Sequence, residues 1–231
     1  MIVVITPSIH PENALKLISN LIFLDVKFVF VVDSAKAFER LKVIYPSVQI
    51  DIIELHTKDF SEMRNIGYWS ALDARFILWT SDDEEFDDEL INSLKNLDGK
   101  YDGFSITVKS TFAGKEVRMF ERQVIKVVKP SYYVFTGRVH EHLANPPINI
   151  HKLKGTIINH SYENWAAYWT KSLKCSLLDT KTLKRFYELT SFPLYCYLFR
   201  NGIRGGLREL QILMASLTYP LLICVRGTKV P

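Results

Sequence analysis

The stretch FILWTSDDEEFDDEL (76–90) runs four apolar or aromatic residues through Thr80 and Ser81 into nine positions, seven of them acidic. Carboxylate oxygens suit hard divalent cations, and a bound Mg²⁺ takes one or two carboxylates and completes its shell with water and substrate phosphate. Seven acids exceed that need, so the run divides. Asp82, Asp83 and Glu84 fall at the exit of an apolar strand, where a site can form. Glu85, Asp87, Asp88 and Glu89 fall in or just before the first turn of FDDELINSLKNL, where negative side chains favour a helix N-terminus. On pattern alone, a solvated helix cap and a metal site both account for the run.

The elements around it decide where it lies. Short apolar runs, IVVI (2–5), KFVFVV (27–32), VQIDII (48–53) and RFILW (75–79), alternate with stretches of helical spacing. The first helix is expected over 11–24 with Leu15, Ile18 and Ile22 on one face, and the second over 34–45 with Phe38, Leu41 and Ile44. A third is expected over 59–74. Strands alternating with helices imply βαβ units and a mostly parallel sheet. Unbroken apolar runs imply strands buried on both faces. In such a sheet, ligands bind beyond the carboxyl ends of the strands, where residues 80–84 fall. After residue 100 the runs shorten: 102–108, 116–121 and 124–129 read as hairpin-linked strands, with AGKE as a turn and 154–160 as a further strand. From residue 161 the pattern is helical, with Ser161 and Asn164 as candidate caps.

The net charge of +4 conceals a split: 17 basic against 21 acidic residues in 1–150, and 12 against 4 in 151–231. The acidic first part argues against nucleic acid as a partner. The basic second part suits an anionic surface, or is simply a solvated helix face. Residues 192–230 mix aromatics, arginines and glycines, and 210–225 carry no charge. That run is short of the roughly 20 apolar residues of a spanning helix, and Pro220 interrupts it. It is expected to lie in a headgroup region, with Arg200, Arg204, Arg208, Arg226 and Lys229 towards phosphates, or to dock on the domain. MIVVITPSIHPE reads as a buried strand rather than a secretory leader, lacking a basic n-region. Cys175, Cys196 and Cys224, in no metal-like spacing, suggest reduced thiols and an intracellular protein.

Three motifs in order carry a resemblance. MRN (63–65) is followed by ARFILWTSDDEEFDDEL (74–90), then GRVHEHL (137–143), then IINHSY (157–162). Together they resemble the family 2 glycosyltransferases of the GT-A fold, nearest the branch with lipopolysaccharide-core glucosyltransferases. That branch has R-N, a D-A-D-E segment ending in E-x-V-x-x-E-L, then G-x-V-H-E-x-L and a strand ending in His. The likeness covers roughly residues 1–190, leaving 191–231 as an amphipathic tail. It implies a GT-A α/β fold: a mostly parallel central sheet with flanking helices and a small antiparallel part. It also implies an inverting, metal-dependent transfer from a nucleotide-diphosphate sugar, expected to be a UDP-sugar, to a glycan, lipid-linked or glycoprotein acceptor. The expected location is cytoplasmic, peripheral on the inner face of a membrane.

Carried over by position, D-A-D-E falls on Ser81, Asp82, Asp83 and Glu84. Asp83 matches the metal-binding acid, for Mn²⁺ or Mg²⁺, while Ser81 replaces the first acid and brings no charge. A second register pairs Asp82 with Glu84, since alternate residues of an extended segment point the same way. Glu141 takes the place of the general base that accepts the proton of the attacking hydroxyl; otherwise it is a strand-end acid. His140 orients that base or touches a phosphate, or is a core histidine. His160 is a further metal ligand, of a kind that suits Mn²⁺, or is structural. Asp33 matches the nucleoside-contacting acid, or caps the next helix. Thr6 and Pro7 border the base. Arg64 meets the pyrophosphate or pairs with the acidic cluster, and Asn65 contacts the ligand or holds the loop. Two other classes stay open: a nucleotidyltransferase making sugar nucleotides, although TPSIHPEN lacks the Gly-rich basic loop, and a non-catalytic membrane or polyanion binder.

Overall fold

The computed structural model describes residues 1–8, 10–57, 59–137, 141–162, 164, 167, 210–214 and 217. The chain forms two compact units, Met1–Val108 with Gln123–Ile158, and Lys109–Arg122 with Asn159–Pro231. Its first elements are β1 (Ile2–Pro7), α1 (Pro11–Leu21), β2 (Val26–Val32), α2 (Ala35–Phe38), α3 (Arg40–Ile44), β3 (Gln49–Glu54) and α4 (Phe60–Tyr68). Then come β4 (Phe76–Trp79), β5 (Glu84–Phe86), α5 (Asp88–Lys95), β6 (Gly103–Phe112) and β7 (Lys115–Val128). Two short strands, β8 (Phe135–Thr136) and β9 (His142–Leu143), precede β10 (Ile150–Tyr162).

The architecture is mixed α/β, with helices flanking a central sheet of order β3-β2-β1-β4-β7-β6-β10-β5. β1 pairs in parallel with β2 and with β4, β2 pairs in parallel with β3, and β7 joins β4 antiparallel. In β1, β2 and β4 the apolar runs are buried on both faces, whereas β3, at the sheet edge, buries only Ile50, and the period of two sorts their side chains. Val4, Phe28, Phe30, Phe76 and Leu78 share one core with Leu17 and Ile18 of α1 and Leu90 and Leu94 of α5. Val3, Ile5, Val29 and Ile77 enter a second core with Ala71, Tyr133 and Phe135.

The helices depart from the expected faces. On α1 the buried residues are Ala14, Leu17, Ile18 and Leu21, and Leu15 is half-buried. The polar residues Glu12, Asn13, Lys16, Ser19 and Asn20 share one side of the helix, and the buried stripe lies within the opposite apolar arc, shifted from Leu15 and Ile22 towards Ala14, Leu17 and Leu21. Ile22 is the C-cap, not a face residue. His10 makes no side-chain cap bond. A cap is worth about 1 kcal/mol, against about 1.5–3 kcal/mol for each large apolar side chain buried, so packing dominates here. The expected helix over 34–45 breaks at Glu39 into α2 and α3; Phe38 and Leu41 are buried and Ile44 is exposed.

The antiparallel part is larger than expected. The two short strands read at 116–121 and 124–129 are one 14-residue strand, β7. Ala113 and Gly114, both at positive φ, form the two-residue turn from β6. In the second unit, Phe112 and Val117 of this hairpin pack with buried Ile212 and Leu213. Asn164 accepts a hydrogen bond from the Ala167 N–H, the capping role read for it. Among the described residues no helix is long and apolar enough to cross a membrane.

One glycine ties the acidic run to β10. Asp87 caps α5 through the Leu90 N–H at 2.8 Å, and its other oxygen accepts from the Thr156 N–H at 2.8 Å. Gly155, beside Thr156, has φ +87°, and a Cβ there would lie 2.2 Å from the Leu90 nitrogen. Gly155→Ala adds backbone strain to this overlap. It is expected to lower Tm by roughly 5–10 °C, measured by thermal unfolding with circular dichroism.

Candidate active site

β1 lies between β2 and β4, and the chain reverses its direction of growth there; in open sheets, ligands bind beyond the carboxyl ends of the strands at such a point. Ser8 follows β1; its Oγ donates to Asp82 Oδ2 at 2.7 Å, spanning the two strand ends. Thr6 is fully buried, and its Oγ1 has no hydrogen-bond partner among the described residues. Pro7 is half-buried beside it.

Asp82 and Asp83 occupy the centre of a tight turn that the Glu84 N–H closes onto the Ser81 carbonyl at 3.2 Å. The segment is not extended, so the geometric premise for pairing Asp82 with Glu84 does not hold. Glu84 points inward instead. Its Oε2 accepts from Thr80 Oγ1 at 2.6 Å and from the Ser81 N–H at 3.2 Å, and Lys126 Nζ lies 2.7 and 2.8 Å from its two oxygens. Both side chains are 4 % exposed. Burial alone would raise the Glu84 pKa, but the Lys126 charge and these hydrogen bonds hold it below the ordinary 4.5.

Arg64 comes from α4, which packs tightly on β1: a Cβ on Gly67 would lie 2.6 Å from Ile5 Cγ2. The helix is capped by Asp59, which accepts from the Ser61 and Glu62 N–H groups. Arg64 is 3 % exposed. Its Nε and Nη2 reach Glu141 Oε1 at 2.8 and 2.7 Å, and Nη1 donates to the Thr80 carbonyl at 3.1 Å. Its guanidinium carbon is 4.7 Å from the Trp79 ring centroid and 5.4 Å from that of Phe135. Lys126 Nζ is 4.0 Å from the Trp79 ring centroid. Burial raises the pKa of the neighbouring Tyr133 phenol strongly; Arg64 opposes that shift and Glu141 adds to it.

The expected residues therefore separate. Ser81, Asp82 and Asp83 come together with Arg64 and Glu141 around the end of β4. Arg64 does pair with an acid, but with Glu141 rather than the cluster. Asn65 exchanges two hydrogen bonds with the Phe135 backbone, at 2.9 and 2.8 Å, and so holds β8, the structural role read for it. Asp33 is exposed at the end of β2 and does not cap α2; Glu54 does, accepting from the Ala35 N–H at 2.6 Å. His160 belongs to the second unit, where its Nδ1 is 3.5 Å from Thr111 Oγ1. His140 lies outside the described residues. Sequence reasoning missed Ser8, Thr80 and Lys126. The signal for Lys126 was a lysine inside the apolar strand VIKVV, a charge that demands a buried partner.

Asp82 and Asp83, consecutive in the turn after β4, carry carboxylate oxygens of the hard type that divalent cations take. Among the described residues no three His, Cys, Asp or Glu side chains gather into a group that would hold a metal alone.

No protein-family model matches this sequence, and no curated protein does. Among solved structures, the chain is similar to S. aureus TarS 1–349 in complex with UDP. The identity is 13%, with a TM-score of 0.51 over 95% of this chain and 79% of that one. Full S. aureus TarS is 12% identical at a TM-score of 0.48, over 99% and 53% of the two chains. HddC from Yersinia pseudotuberculosis is 10% identical at 0.43, over 73% and 96%. At such identities the TarS 1–349 likeness is one of fold alone, a mixed α/β sheet with flanking helices.

The buried pair gives a pH-dependent prediction. Because the Glu84 pKa is depressed in the folded state, its contribution to stability is complete above about 4.5. That contribution is lost as pH falls through the lower folded-state value. Glu84→Gln strands the Lys126 charge and is expected to cost about 3–5 kcal/mol at neutral pH. The difference from the natural chain shrinks once Glu84 is protonated. Urea unfolding of both chains at neutral and strongly acidic pH measures this.

Proposed function

We propose that this chain is a glycosyltransferase moving a sugar from a nucleotide-diphosphate donor to an acceptor hydroxyl. The observation that carries the reading is the arrangement at the end of β4. Asp82 is anchored to the loop after β1, Asp83 sits beside it, and Glu141 is fastened to the same strand end through Arg64. A UDP-sugar is the donor favoured here, because the similar TarS 1–349 structure was solved with UDP. In this reading Thr6, Pro7 and Asp33 border the nucleoside. Asp83, with Asp82, would hold a Mn²⁺ or Mg²⁺ ion, whose charge offsets that growing on a departing diphosphate.

Glu141 is the general base of the proposal. Arg64 holds Oε1 with two N–H donors, which fixes the carboxylate in place while the acceptor hydroxyl gives up its proton. One base and a single displacement invert the anomeric centre, and the oxocarbenium-like state parallels glycoside hydrolysis. The acceptor class is a glycan, lipid-linked or glycoprotein hydroxyl. The reading places the protein at the cytoplasmic face of a membrane, on the strength of the basic 151–231 segment.

With Mn²⁺ present, UDP at a hundred times its Kd stabilises by about 2.7 kcal/mol, a rise in Tm of roughly 5–10 °C. Asp83→Ala is expected to remove this rise while leaving the ligand-free Tm near that of the natural chain. Glu141→Gln should retain the rise and lose about 10²–10⁴-fold in transfer rate. No UDP shift in the natural chain would overturn the donor. In flotation with anionic phospholipid vesicles, replacing Arg200, Arg204 and Arg208 by Gln should release the protein; unchanged flotation would refute contact through the tail.

A further inference from the structure

We propose that Lys126 is a positioning residue that sets the stance of the Asp82–Asp83 turn from a neighbouring strand. The inference rests on the reading of that turn as the element facing the diphosphate. β7 runs antiparallel to β4, with Val128 opposite Ile77 and Val127 opposite Leu78, so Lys126 comes next towards the end of β4. Its ammonium lies 2.7 and 2.8 Å from the two Glu84 oxygens and 4.0 Å from the Trp79 ring centroid. At 3 % exposure it is enclosed by protein and not placed to touch a ligand itself.

What it holds is the turn. Glu84 grips both ends of the four residues: its carboxylate accepts from the Ser81 N–H, and its own N–H donates to the Ser81 carbonyl. The same carboxylate takes the Thr80 hydroxyl. A carboxylate removed from water in this way needs a countercharge to stay put, and Lys126 supplies it. The pair is electrically neutral as a unit, so it fixes the turn without adding to the charge that Asp82 and Asp83 present. Residues supporting a metal ligand in this manner typically alter affinity by about 10–100-fold when removed.

The test compares Lys126→Met with Leu21→Ala, a core variant on α1 that lowers global stability without touching the turn. Amide hydrogen exchange in the ligand-free protein is read at Ser81 and Glu84, with the β2 amides as reference. UDP affinity with Mn²⁺ is read by calorimetry under conditions where all chains are folded. Lys126→Met is expected to speed exchange at Ser81 and Glu84 by about tenfold or more relative to β2. It should also weaken UDP by about 10–100-fold, whereas Leu21→Ala does neither. Matching exchange and affinity in the two variants would overturn the proposal and leave Lys126 a purely structural residue. If the natural chain binds no UDP, the transferase reading falls, and the exchange comparison still decides whether Lys126 orders the turn.

Discussion

Two buried cations, Arg64 and Lys126, lie against one indole ring, and neither can stay there without a carboxylate. Removing an ion from water costs several kcal/mol even after the surroundings relax, and an imperfect pairing does not recover it. Arg64 is answered by Glu141 and Lys126 by Glu84, each through two short contacts. The demand for neutral pairing thereby dictates where two acids sit at the end of β4. A third acid, Asp82, is fixed from the other side by Ser8. Trp79, half-buried between sheet and rim, is the common floor.

The sheet makes this convergence possible. With β1 flanked in parallel by β2 and β4, two strand ends open side by side with no helix directly continuing either. α4 crosses close to β1 because Gly67 has no side chain to hold it off, and that closeness carries a buried arginine to the Thr80 carbonyl. The antiparallel β7 then supplies what a purely parallel sheet would lack: a side chain entering from the neighbouring strand at the same level.

The parallel half of the fold was legible because β1, β4 and most of β2 are continuous apolar runs, and only the edge strand β3 carries an acid, Asp51, within it. So was the placement of the acidic run at a strand end, where a solitary polar dipeptide, Thr80-Ser81, marks the exit. Asp87 was rightly read as belonging to a helix start, but its second bond to Thr156 was not, since nothing local in sequence announces a contact 69 residues away. On α1 the period locates the apolar arc, but which part of that arc is buried deepest depends on the sheet it packs against, so the centre of the face shifts by one residue position. The pairings of Arg64 with Glu141 and Lys126 with Glu84 were hidden for the same reason: spacing reveals which charges will be buried, and only the assembled sheet reveals with whom.

Among the described residues, the turn at 81–84 uses position 81 through its main chain: the N–H meets Glu84 and the carbonyl receives two donors. No side chain is needed there to keep the loop closed. A serine at position 81 is thus structurally inexpensive. The number of negative charges at this strand end becomes an adjustable setting, open to single substitutions that leave the scaffold as it is.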